Sequence, residues 1–314
     1  MAEGFASAGK QFTQRYLKVM FSSLKDATPE QVQEELERCR NINRKPVRVP
    51  RYFREHFAES LFQASNGFNM QLFTSQPCRN QDVVILYIHG GACIYQPVFF
   101  HWRFVHDLSI RTGCRIVMPI YPKYPEYHCV DNMAVMLDLY ERYMMPMKAE
   151  KVVLMGDSFG GNVAMSMTQE IAKRGWQPVS GLVLMSPCVD NAFTQRDQML
   201  ALQPLDEMIK LERIESIMGG WQGELSAKHP WVSPIYGDLS TFPDNTLLIY
   251  GSNEIPKVDA ILLTEKMREL GRPIQSLEFQ EMFHTFPLFP VKEGFQAIRA
   301  IANSCCNSGS TLSN

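Results

Sequence analysis

Gly156-Asp157-Ser158-Phe159-Gly160 sets a serine between two glycines, just after the apolar run 152–155 and just before a helix-forming stretch. A serine hydroxyl is a weak nucleophile until it is lifted clear of its surroundings and an adjacent base takes its proton. The glycines permit the sharp strand-to-helix turn that does the lifting. The helix that follows offers its positive dipole end to negative charge developing at the serine. Ser158 is therefore the candidate nucleophile of an acyl transfer. The bland alternative, a tight turn and nothing more, is weakened by the flanking strand and helix and by Gly161.

A second glycine-rich loop, His89-Gly90-Gly91-Ala92, follows the apolar run 83–88. Backbone N–H groups in such a loop can converge on one point and hold an oxyanion. The donors expected are those of Gly91 and Ala92, joined by the Phe159 N–H from the serine turn. The base should be a histidine late in the chain. Of seven histidines, only His284 follows the strands expected at 245–251 and 274–279, and Phe283 and Phe286 flank it. A neutral imidazole shielded by aromatic rings is suited to accept the serine proton.

Holding these groups together requires a regular scaffold. Residues 28–40 read as a helix, with Thr28 as N-cap and Pro29 in the first turn. Ser65-Asn66-Gly67 marks a hairpin between strands at 57–64 and 68–74. Beyond it strands at 83–89, 115–121, 151–156, 181–186, 245–251 and 274–279 are interleaved with helices at 99–112, 131–144, 162–174 and 259–270. That alternation predicts an α/β fold, a mostly parallel sheet with helices on both faces. Residues 191–229 break the pattern, are rich in Met and Leu, and read as an insertion above the sheet. The expected organisation is an N-terminal helical segment 1–50, a core of 51–190 and 230–304, the insertion, and a Ser/Asn-rich tail, 305–314, frayed from about Asn303.

Composition narrows the function classes. With 31 basic and 33 acidic residues, the chain offers no electrostatic reason to bind nucleic acid or an anionic membrane. No apolar run is long enough for a membrane span, and the first ten residues lack the apolar stretch of a signal peptide. Eight cysteines, none in a C-x-x-C pair, read as reduced and mostly buried thiols of a cytoplasmic protein. Neither a zinc site nor a disulfide framework is expected. Phe99, Phe100, Trp102 and Phe104 read as core and pocket wall. Asp157 reads as a hydrogen-bonding prop, and Glu126 and Asp131 as braces for nearby loops.

His89-Gly90-Gly91, Tyr121-Pro122-x-x-Pro125-Glu126 and Gly156-Asp157-Ser158-x-Gly160-Gly161 occur here with Val232-Ser233-Pro234-Ile235-Tyr236-Gly237-Asp238-Leu239 and His284-Thr285-Phe286-Pro287. Together they resemble the hormone-sensitive-lipase family of carboxylesterases. The resemblance implies an α/β-hydrolase core with a helical cap built from residues 1–50 and 191–229. It also implies hydrolysis of a small-molecule, short-chain acyl ester, without metal or organic cofactor, and leaves open a homodimer. Two positions depart from the family pattern. Ala92 stands where the oxyanion loop usually has its last glycine, and its methyl group narrows the site but keeps the N–H. Asn253 stands where the family places the acid of the triad. An amide oxygen can orient an imidazole but cannot supply the charge that stabilises an imidazolium. Glu254, the next residue, is the favoured acid, with Asn253 and Asp259 as alternatives, although Asp259 also suits the cap of the helix at 259–270. Two other functions stay open on this reading: an amidase or deacetylase of a sugar or natural product, and a catalytically weakened binding protein.

Overall fold

A hairpin of β1 (Phe57–Gln63) and β2 (Asn69–Ser75) opens the sheet in the computed structural model, which describes residues 28–306. The remaining strands are β3 (Asn80–Ile88), β4 (Cys114–Pro119), β5 (Lys151–Asp157), β6 (Gly181–Met185), β7 (Thr246–Gly251) and β8 (Gln275–Phe279). They lie in the order β1-β2-β4-β3-β5-β6-β7-β8. β1 and β2 run antiparallel to their neighbours, and every pairing from β4 to β8 is parallel. This is the α/β-hydrolase fold expected from the motifs.

The strands follow from a residue pattern apolar on both faces. Val84, Leu86 and Ile88 enter one core, shared with α3 (Cys129–Leu139), α4 (Phe159–Lys173) and α7 (Lys257–Glu269). Val83, Ile85 and Tyr87 alternate into a second core, shared with α2 (Phe99–Thr112) and α8 (Lys292–Cys306). Successive side chains of a strand point to opposite faces, so a continuous apolar run needs helices on both. That arrangement fixes the ends of β3, β5 and β7, where the chemistry-bearing residues lie.

Before the sheet, α1 (Pro29–Asn43) begins as its sequence indicates. The Gln31 N–H donates to Thr28 Oγ1, and the Thr28 N–H donates to Gln31 Oε1. Residues 1–27 of the expected N-terminal segment and 307–314 of the expected tail lie outside the described residues. The tail does not begin at Asn303, because α8 runs through Cys306 and buries Cys305. Ala297, Ile298, Ile301 and Cys305 recur at helical spacing, which outweighs the polar composition. In the insertion, α5 (Arg196–Leu202) and α6 (Leu211–Trp221) follow β6. Arg213 of α6 meets Glu35 of α1 at 2.6 Å in a buried ion pair, and Tyr95 hydrogen-bonds both. Arg38 and Arg213 both line one cavity, so helices from two distant parts of the chain share its roof.

All eight cysteines carry free thiols, five of them buried. Among the described residues, no helix is long and apolar enough to cross a membrane.

Candidate active site

Ser158 stands at the turn between β5 and α4 with φ 52° and ψ −122°, a backbone conformation that costs a non-glycine residue about 1–3 kcal/mol. The turn closes so tightly that only glycine fits around it. A Cβ on Gly160 would lie 1.9 Å from the Ile88 carbonyl oxygen, and one on Gly156 would lie 2.2 Å from the Gly160 oxygen. The Ser158 N–H is held by Met185 O at 2.8 Å, at the end of β6. Helix α4 starts at Phe159, three residues earlier than the periodicity indicates, so the serine directly precedes the helix.

His284, on the loop after β8, reaches the serine with Nε2 2.9 Å from Ser158 Oγ. Its Nδ1 is 2.7 Å from Oε2 of Glu254, which lies in the turn after β7. A carboxylate only accepts, so Nδ1 carries the proton and Nε2 accepts the serine O–H. Glu254 is completely buried. Its other oxygen accepts from the Gly251 N–H at 2.6 Å and from Ser186 Oγ at 2.9 Å. Burial opposes a charge on His284 most strongly, yet the hydrogen bond and charge of Glu254, with Asp206 and Asp157 behind them, raise its pKa overall.

The three candidate acids thus occupy different places. Glu254 touches the imidazole. The side chain of Asn253 turns to Ser252 Oγ at 3.1 Å, while its N–H holds Met282 O at 2.9 Å and so ties down the loop that carries His284. Asp259 lies inside the first turn of α7 without capping it and accepts the N–H groups of Val189 and Asp190 at 2.7 and 3.4 Å. Burial raises its pKa to about 7 against the two N–H bonds, which lower it, and the neighbouring Asp190 adds to the rise. With Glu254 against His284, the reading of a weakened binding protein loses the observation that prompted it.

The donors expected at Gly91 and Ala92 lie on the loop after β3. Gly91 has φ 109° and Ala92 φ 49°, so both turn through the left-handed region. Among the described residues, neither of their N–H groups has a hydrogen-bond acceptor. Phe159 is the first residue of α4, where the helix leaves N–H groups unused. Gly91, Ala92, Phe159, Ser158 and His284 line the same cavity of about 430 Å³. Asp157 props this loop against the nucleophile strand: its Oδ1 accepts from Tyr87 O–H at 2.5 Å and from the Gly90 N–H at 3.0 Å. Glu126 pairs with Arg44 at 3.3 Å, and Asp131 accepts the His128 N–H at 2.9 Å at the start of α3.

Three residues escaped the sequence reading. His101 brings Nε2 to 3.5 Å from Asp157 Oδ2. Cys188 lines the cavity, and burial pushes its thiol pKa up, so it stays protonated beside Ser158. Ser186, with φ 48°, donates to Glu254 and accepts the Thr285 N–H at 3.1 Å, bridging Glu254 to the loop that carries His284. The signal available for it was a Ser-Pro pair at the end of a strand neighbouring the nucleophile. Ser186→Ala should lower kcat by about tenfold with KM nearly unchanged, read from steady-state kinetics on p-nitrophenyl butyrate.

Among the described residues, no group of three or more His, Cys, Asp or Glu side chains is arranged to hold a metal ion. Ser158, His284 and Glu254 thus lie buried in one hydrogen-bonded line, and Gly91 and Ala92, whose N–H groups have no acceptor among the described residues, line the same cavity as Ser158 and His284. The family model described as alpha/beta hydrolase fold matches residues 85–288, well over half of the chain, and the chain belongs to that family. An esterase of Acinetobacter venetianus is 28% identical over 230 residues, spanning 70% of this chain and 73% of that protein. An acetyl-hydrolase of Streptomyces hygroscopicus is 27% identical over 237 residues, spanning 71% and 75%. A Staphylococcus aureus crystal structure whose name assigns it to the esterases has a TM-score of 0.83 at 28% identity, covering 91% of this chain and 95% of that one. A hormone-sensitive lipase from a metagenome library has a TM-score of 0.75 at 21% identity over 93% and 96% of the two chains, and shares the fold that the motifs imply.

Proposed function

We propose that this protein is a serine carboxylesterase that hydrolyses short-chain acyl esters through an acyl-enzyme on Ser158. The observation that carries the proposal is the line Glu254–His284–Ser158, with gaps of 2.7 and 2.9 Å, at the wall of an apolar cavity. In the proposed mechanism His284 takes the serine proton as Oγ attacks the ester carbonyl. The oxyanion is held by the N–H groups of Gly91, Ala92 and Phe159. His284 then gives its proton to the departing alcohol, and water, activated by the same imidazole, releases the acid. Glu254 stabilises the imidazolium at both stages.

The size and lining of the cavity support a short acyl chain. At about 430 Å³ it is near the lower end of pockets that enclose small ligands, and Phe99, Phe100, Met208, Ile209, Leu288 and Phe289 supply apolar surface. The test is a series of p-nitrophenyl esters from acetate to palmitate. The expected kcat/KM is highest between acetyl and hexanoyl and falls by about tenfold or more at the longest chains. A rate that climbs steadily to palmitate overturns the short-chain assignment, and no turnover above background across the series overturns the esterase reading. A paired anilide series separates an amidase from an esterase.

A further inference from the structure

Asp206 lies in the insertion, between α5 and α6, and is 1% exposed. Its Oδ1 accepts the N–H groups of Met208 and Ile209, both at 2.8 Å. Its Oδ2 accepts the N–H of Ile255, also at 2.8 Å, and Ile255 is the residue after Glu254. Met208 and Ile209 line the cavity beside Ser158. One carboxylate therefore joins the apolar wall of the pocket to the turn that carries the acid.

A buried carboxylate is costly to keep ionised without a cation beside it. Among the described residues Asp206 makes no ion pair with a lysine or arginine; its oxygens meet the N–H groups of Met208, Ile209 and Ile255. Burial raises its pKa, and the groups that oppose this are His284 and the three N–H donors. If anchoring two strands of backbone were the whole task, a neutral asparagine could accept most of those bonds without the cost of a charge. The group that bears on Asp206 with opposite charge, once it takes the serine proton, is the imidazole of His284.

We propose that Asp206 is a positioning residue for this site: from the insertion it fixes the Glu254 turn through the Ile255 N–H, and its charge supports the imidazolium of His284. The proposal rests on the reading of Ser158, His284 and Glu254 as nucleophile, base and acid. It makes the insertion part of the catalytic machinery as well as a roof, because a displacement of the Met208–Ile209 wall is transmitted to the acid.

The groups bearing on His284 are the carboxylates of Glu254, Asp206 and Asp157, with Ser158 Oγ at Nε2. Cys188, also beside the serine, is held as a neutral thiol. Asp206 favours the charged imidazole, so its removal lowers the pKa of His284. Catalysis needs the neutral imidazole, so the acidic limb of the kcat/KM profile then moves to lower pH.

The experiment is kinetics on p-nitrophenyl butyrate from about pH 5 to 9 for the parent, Asp206→Asn and Asp206→Glu. Circular dichroism melts establish which variants fold. Asp206→Asn is expected to lose about ten- to a hundredfold in kcat and to shift its acidic limb downward. Asp206→Glu keeps the charge but displaces the carboxylate by a methylene, so kcat should fall while the limb stays close to that of the parent. A merely structural anchor would not move the limb. If Asp206→Asn folds with the parent's limb and a kcat within about twofold, the proposal is overturned. If Asp206→Asn does not fold, a parent-like kcat in Asp206→Glu overturns it. Failure of the underlying reading looks different: Ser158→Ala would then retain turnover, whatever Asp206 does.

Discussion

Ser158→Ala is expected to lose turnover of p-nitrophenyl acetate by about 10⁶-fold while folding normally, leaving only the small rate enhancement that binding and the oxyanion donors supply. Normal folding follows from the site's construction. The turn around Ser158 is shaped by Gly156, Gly160 and the bond from the serine N–H to Met185 O, and none of these involves the hydroxyl. Removing Oγ deletes the O–H donated to His284 Nε2 at 2.9 Å and the hydrogen bond shared with the Cys188 thiol. A fluorophosphonate probe gives an independent readout. It should add one covalent adduct to the parent and none to the variant, because only an activated hydroxyl opposite an oxyanion hole displaces fluoride at a useful rate. The competing nucleophile in this cavity is the Cys188 thiol, whose pKa burial pushes upward, away from the thiolate that the chemistry requires. Cys188→Ser should therefore leave the adduct on Ser158. Labelling that persists in Ser158→Ala and disappears in Cys188→Ser would transfer the nucleophile to the thiol.

Much of this candidate site was legible in the sequence because its parts are local. A nucleophile turn needs glycine on both sides of the serine, and an oxyanion loop needs glycine directly after a strand, so each leaves a contiguous mark. His284 could be found by its order in the chain. The acid was harder to place, since position 253 carries an amide and the carboxylate stands one residue later. The structure separates the two by direction: Asn253 faces Ser252 on one side of the turn, and Glu254 faces His284 on the other, its longer side chain spanning the gap. Ser186 and Asp206 left no comparable mark. Their roles depend on the neighbours that the sheet order and the insertion give them, 99 residues from Thr285 for Ser186 and 49 from Ile255 for Asp206. Helix boundaries shifted for a similar reason. α8 continues through the polar residues after Ala302 because Cys305 completes an apolar face against the sheet.

Glu254→Gln should lower kcat by about 10³- to 10⁴-fold, a larger loss than its near-isosteric shape suggests. The carboxylate of Glu254 receives three donors: the Gly251 N–H and the Ser186 O–H on one oxygen, and His284 Nδ1–H on the other. A glutamine has only one oxygen to offer them. If that oxygen stays with Gly251 and Ser186, the amide NH₂ points at Nδ1, which must then give up its proton and act as an acceptor. The ring switches to the tautomer with hydrogen on Nε2, and a protonated Nε2 cannot take the serine proton. If the amide flips, His284 keeps its partner but two buried donors, the Gly251 N–H and the Ser186 O–H, face an NH₂ group. Leaving such donors unsatisfied costs about 1–3 kcal/mol each and loosens the turn. Either arrangement removes the charge that stabilises the imidazolium, so the surviving activity should show its acidic limb at lower pH than the parent. Asn253→Ala supplies the contrast, since its side chain meets only Ser252 among the described residues. That variant should stay within about threefold of the parent in kcat. Comparing the two variants on one substrate, with melting curves to show that both are folded, distinguishes the carboxylate from the amide. A collapse of Asn253→Ala with a nearly intact Glu254→Gln would return the acid's place to position 253 and leave the site without a charged partner for His284.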